Sequence, residues 1–156
     1  MSFPSAEPKR LLIIERVVTV LKAMRQGEGY WYTAADVVKQ VVHEREVLKF
    51  PFYMVEYESS PGSPKSNINH QFTEDLAIII KGACDGEAGD TTTKLERCIR
   101  DVRTAIDADT SSVAAGSLGA LGAVVTIDAL EIEHDEKYGY FNQRFIAHIR
   151  GDWRSL

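Results

Sequence analysis

Four histidines and two cysteines are the residues of this chain best suited to chemistry, and their spacing limits what they can do. His43, His70 and His148 stand apart from one another. His134 is followed by Asp135 and Glu136, which puts three ligand types in a row. Consecutive positions in an acidic turn splay outward, so a solvated surface is the simpler expectation, and no metal is expected. Cys84 or Cys98 with His148 could form a thiol–imidazole pair, the imidazole taking the proton as the sulfur attacks. No oxyanion motif or nucleophile elbow accompanies such a pair, and the serines gather in loops. Cys98 falls on the apolar face of a helix and reads as a core filler. In a chain without an export signal, two reduced thiols are expected. Catalytic residues: none expected; cofactors: none expected.

Gly82, Gly86 and Gly89 lack the Lys-Ser/Thr of a nucleotide loop and the strand–turn–helix spacing of a dinucleotide site. Gly116, Gly119 and Gly122 read as flexible loop. Thr33 to Lys49 has the outline of a helix-turn-helix, but Lys39, Arg45 and Lys49 are balanced by Asp36, Glu44 and Glu46. A recognition helix is less balanced than that. Tyr30, Trp31, Tyr32 and Trp153 are expected as core or subunit contacts rather than base-stacking platforms. The net charge of -5 over 156 residues points away from nucleic acid and anionic membranes as partners. With 44% apolar and 26% charged residues, the chain can bury a core unaided, and residues 1–156 are expected to form one domain. MSFPSAEPKR carries no apolar signal core, and no later run reaches membrane length.

The elements that must position these residues follow from periodicity. Leu11, Ile14, Val17, Val18, Leu21 and Met24 form an apolar stripe at helical spacing, starting near Glu7 to Arg10 and stopping at Gln26 to Gly29. The segment Tyr30 to Thr33 reads as a short aromatic strand or an extended entry, and Val37 to His43 as extended in part or as a capped helix. Phe50 to Tyr57 reads as a strand that Pro51 opens. Gln71 to Lys81 alternates with period two: Phe72, Leu76, Ile78 and Ile80 share one parity, on which Glu74 is the misfit. Glu74 is expected where that face is no longer sealed. This strand is taken as central to one sheet.

Leu95, Cys98, Ile99, Val102 and Ile106 define a second helix, capped near Asp90 to Thr93, with Lys94, Glu96, Arg97, Arg100, Asp101 and Arg103 on its wet face. Ala123 to Glu133 and Phe141 to Arg150 read as strands joined by a hairpin turn at Tyr138-Gly139-Tyr140. Gln143 is the discordant residue of the last strand. Flexible loops are expected near 58–70, 82–91 and 110–122. The fold class is α+β, a single mostly antiparallel sheet with two main helices packed on one face.

The run of LLIIERVVTVLKAM, GYWYTAADVV, PFYMVEYES, FTEDLAIIIKGAC, KLERCIRDVRTAI and LEIEHDEKYGYFNQRFIAHIRGDW resembles the tail terminator and minor tail proteins of long-tailed bacteriophages. The resemblance spans nearly the whole chain and rests on its organisation, with no invariant motif. It implies a non-enzymatic virion protein without cofactor, assembled as a homo-oligomeric ring, usually a hexamer, at the head-proximal end of the tail tube. Such a ring ends tube polymerisation and provides the head–tail joining surface. Its partners are the tube protein and the head–tail connector, and no membrane is involved. DNA passes its lumen without specific binding. The protein would be found in the virion tail, and in the host cytoplasm during assembly. Tyr53, Tyr57, Glu74, Tyr138, Tyr140 and Trp153 are the candidate subunit contacts. Asp85, Glu87, Asp90, Glu131, Glu133, Asp135 and Glu136 are candidates for an acidic lumen that repels phosphate. Another head–tail completion protein, and a small hydrolase or binding domain, are the alternatives.

Overall fold

The computed structural model describes residues 8–39, 49–59, 65–66, 71–86, 90–135 and 137–152. The order along the chain is α1 (Lys9–Lys22), β1 (Asp36–Val38), β2 (Phe52–Ser59), β3 (Lys65–Ser66), β4 (Gln71–Asp85), α2 (Thr91–Thr110), β5 (Val124–His134) and β6 (Tyr138–Asp152). The strands form one six-stranded sheet in the order β1-β2-β4-β6-β5, with β3 attached to β4. Among the described strands, only the β1–β2 pairing is parallel; the others are antiparallel. Both helices lie on the same face, so the architecture is the expected α+β arrangement.

Period-two patterning puts β4 at the centre. Leu76, Ile78 and Ile80 lie under the helices, opposite Ala147, Phe145 and Gln143 of β6. α1 meets them with Ile13, Ile14, Val17 and Leu21. Ile13 takes a central place in that stripe, while Leu11 and Val18 sit half-buried at its margins. α2 contributes Leu95, Cys98, Ile99, Val102 and Ile106, the residues its spacing predicts. Each such aliphatic side chain is worth about 1.5–3 kcal/mol when fully buried. α1 is rich in β-branched residues and depends on that burial more than on its own propensity.

Several local expectations are corrected. Glu74 is not at an unsealed end. It is buried, and Arg10 of α1 reaches over the face to pair with it, Nε to Oε2 at 3.0 Å. Tyr138-Gly139-Tyr140 is not a turn but the start of β6. The turn is made by Asp135, whose Oδ1 accepts the amides of Lys137 (2.8 Å) and Tyr138 (2.7 Å), an Asx turn. Gly82 to Asp85 is strand rather than loop. Gly82 faces Phe141 in register, and a Cβ on it would stand 2.1 Å from the Phe141 ring. The glycine lets the ring lie on the backbone.

Glu58 and Ser59 complete β2, and Lys65–Ser66 form β3, so the long expected loop is shorter than 58–70. The remainder of that loop, and residues 40–48 and 87–89, lie outside the described residues. Tyr30 to Thr33 is not a strand; Tyr30 makes a single bridge to Gln26, and Gly27 (φ +85°) and Gly29 (φ +94°) turn the chain there. Of the extended valine segment, Val37 and Val38 lie in β1, and residues 40–43 lie outside the described residues. Residues 111–122 are a string of turns rather than a loose loop, held by fully buried Leu118, whose amide donates to Asp109 Oδ2 at 2.9 Å.

Candidate functional site

The sheet has a second face, and no described helix covers it. Strand parity determines what it displays. Phe52 and Met54 of β2, then Asp75, Ala77, Ile79, Lys81 and Ala83 of β4, point this way. From β6 come Tyr138, Tyr140, Asn142, Arg144, Ile146 and His148. Around Asp85 the face is aromatic. Phe50 and Tyr138 lie 5.6 Å apart by ring centroid, and Tyr138 and Tyr140 lie 6.5 Å apart. Phe52, Met54 and Ala83 form a small apolar cluster of their own, separate from the main core. Beside it runs a groove of about 360 Å³ with Phe52, Met54 and Tyr140 in its lining and Glu131, Glu133 and Lys81 at its polar margin.

Toward the other end the same face is polar. Arg144 spans strands, pairing with Glu58 of β2 and, through Nε at 3.2 Å, with Asp128 of β5. His148 does likewise: its Nδ1 lies 2.7 Å from Asp75 Oδ1 and its Nε2 3.2 Å from Thr126 Oγ1. This chain has the order of a carboxylate–imidazole–hydroxyl relay. All three residues are exposed, and none lines the groove. A relay of that kind draws its strength from a water-excluded site with preorganised donors, so here the arrangement serves as a brace across three strands. The thiol–imidazole pair is not formed, because His148 is on the open face and both cysteines are buried beneath the helices.

The candidate contact residues separate by face. Tyr57 is 59% exposed and Tyr138 38%, and Tyr140 is half-buried at the groove. Tyr53 is corrected: it is fully buried under the helices, its ring edge-on to Phe141 at 6.4 Å, and so offers no surface to a neighbour. Trp153 lies outside the described residues, as do Glu87 and Glu136. Among the acidic candidates, Asp85, Glu131 and Glu133 share the open face at the groove end. Asp135 lies in the adjoining turn and Asp90 precedes α2. Asp85 is partly neutralised by Lys94 at 3.2 Å. Among the described residues, no cluster of His, Cys, Asp or Glu could hold a metal ion.

Sequence reasoning missed the buried polar groups of the helical side. Asp101 is not on the wet face of α2. It is buried, and its carboxylate accepts the amides of Trp31 (2.9 Å to Oδ1) and Tyr32 (3.0 Å to Oδ2), clasping the turn after α1 onto α2. Burial raises its pKa, and the two amides pull the other way. Trp31 remains half-exposed, with Arg97 4.3 Å over its ring.

Asp109 is also buried and takes both Nε (3.0 Å) and Nη2 (2.6 Å) of Arg16. Burial works to raise its pKa, but the guanidinium and the Leu118 amide prevail and hold it below the usual carboxylate range. Gln143, the discordant residue of β6, is buried and accepts from Arg103 at 2.9 Å. The available signal was a polar residue at a core parity, with an oppositely equipped residue one element away. Cys84 and Cys98 are free thiols lying against each other, and the Tyr53 hydroxyl beside them has no well-formed partner among the described residues. The bond shared with Cys84, together with burial, pushes the Cys98 thiol up, out of the nucleophilic range.

Compared with known proteins, the chain matches no family model and no curated protein.

Proposed function

We propose that the chain is a structural subunit of a closed homo-oligomeric ring. The ring would be of the kind that ends the tail tube of a long-tailed bacteriophage and presents a surface to the head connector. The observation that carries this reading is the uncovered sheet face. Among the described residues, two helices seal one side of the sheet and none lies on the other, whose aromatic end carries exposed Tyr138 beside the buried Phe52, Met54 and Ala83 and is bounded by carboxylates. Surfaces of that composition mark contacts with other proteins. The chain-wide resemblance supplies the rest of the reading. A ring requires a head-to-tail contact that closes by rotation, so one subunit's open face meets a different part of its neighbour. In such a ring the carboxylates Asp85, Glu131, Glu133 and Asp135 would face the passage and let DNA slide without holding it.

The test is the mass of the purified protein at high and low concentration, followed by electron microscopy with purified tails. A closed ring that caps tube ends is expected. A strict monomer that neither binds tube ends nor limits their growth overturns the reading. A ring that binds head connectors without tails moves it to a completion protein of the same particle.

A further inference from the structure

β5 is the last strand in the sheet order. It pairs with β6 on one side and has no described strand on the other. A strand edge of this kind presents backbone N–H and C=O groups at alternate positions, ready to pair. Proteins guard long edges with lysine, proline or bulges. β5 is 11 residues long, and Val124–His134 contains no Lys, Arg or Pro. Its guards are the register shift between Ile127 and Leu130 and the carboxylates of Asp128, Glu131 and Glu133, which act only against a like-charged strand. Beyond that shift, Leu130 to His134 runs in unbroken register with β6, and Ile132 within it is 44% exposed.

We propose that the outer edge of Leu130 to His134 takes up an extended basic segment of another protein as an added strand. Charge selects this occupant. Glu131 and Glu133 stand on the groove side of this stretch, with Asp128 before it and Asp135 after it. A second copy of β5 laid alongside would set carboxylates against carboxylates, which is unfavourable for directly opposed residues. A strand with Lys or Arg at alternate positions places its cations against Glu131 and Glu133. Its intervening apolar side chains then fall on the other parity, against Ile132. The ladder bonds supply affinity and the alternation supplies selectivity. The inference rests on the uncovered half of the sheet being an assembly surface, and adds the chemistry of the partner; it does not require a phage tail.

The probe is a fluorescein-labelled peptide of about nine residues alternating Lys and Val, read by fluorescence anisotropy against the full chain. Two control peptides are used: one with the same composition in two blocks, and one N-methylated at alternate amides. The alternating peptide is expected to bind with Kd on the order of 10 to 100 μM. Block and N-methylated peptides should bind about tenfold more weakly or worse, and Glu131→Gln with Glu133→Gln should weaken the alternating peptide by a similar factor. Equal affinity for all three peptides would mean unspecific charge attraction and overturns the proposal, as does absence of binding. A ring that forms but ignores the peptide rejects the added strand and leaves the assembly reading standing. A monomer that binds it does the reverse.

Discussion

Two buried aspartates on α2, eight residues apart in number, respond to pH in opposite senses because their partners differ. Asp101 has only backbone amides against its burial, and its folded pKa is raised. Its contribution to stability is therefore complete below the unfolded pKa and is lost as pH rises through the folded one. Asp109 has a guanidinium, and its folded pKa is lowered. Its contribution is present above the unfolded pKa and is lost as pH falls through the folded one. Asp101→Asn keeps an oxygen for the Trp31 and Tyr32 amides, so relative to the parent it should gain stability as pH rises above the ordinary aspartate pKa of about 3.9. Asp109→Asn should lose stability relative to the parent as pH rises toward that value from below, with the full loss present above it. Urea midpoints measured on both sides of that value check both, and parallel curves would show that neither carboxylate titrates as assigned. Glu74→Gln is a separate case. It uncouples Arg10, whose side chain is 40% exposed and can turn to water, so the cost should be about 1–2 kcal/mol rather than that of a fully buried broken pair. Thermal unfolding of the isolated chain measures it.

At the scale of elements, the β4–β6 pair sets the length of the whole sheet, and its glycine shows how. Gly82→Ala would push a methyl into the Phe141 ring, and is expected to cost about 1–3 kcal/mol. Combining it with Phe141→Leu should cost less than the two changes summed, because the smaller side chain yields the space. Strict additivity in urea unfolding would show that the ring does not rest on this glycine. The same pair explains how much of the fold was legible. Ile78, Ile80, Leu95 and Cys98 announced their faces because large apolar residues recur on one side of each element and smaller or polar ones dominate the other. Gly82 and Gly139 read as breakers because sequence alone cannot distinguish a glycine that ends a strand from one that makes room across it. Asp101 and Gln143 read as surface or noise because their partners are backbone amides of a distant turn and an arginine on another element. Nothing near them in the chain announces those contacts. The candidate face was legible only as aromatic residues without sides: Tyr53 and Tyr140 look alike until parity sends one under the helices and the other to the groove.

At the scale of the whole molecule, the two faces have different consequences for stability. The core under the helices is buried within one chain, so its contribution does not depend on how much protein is present. If the open face is an assembly surface, its burial is linked to concentration, and the folded state should become more stable as protomers are added. For a ring of about six, each tenfold rise in protomer concentration is worth about 1 kcal/mol per protomer, or about 2–4 °C in Tm for a chain of this size. Differential scanning fluorimetry over a hundredfold concentration range would read that slope. Two substitutions on exposed positions of the open face, Tyr138→Lys near the groove and Val124→Lys at the far end of β5, sample the surface without entering the core. Each is expected to flatten the slope while leaving Tm at the lowest concentration within about 2 °C of the parent, since surface changes of this kind cost little in a monomer. A parent slope of zero would mean that the face stays open in solution. A slope that survives both substitutions would place the contact elsewhere, with exposed Tyr57 on the helical side as the next position to change.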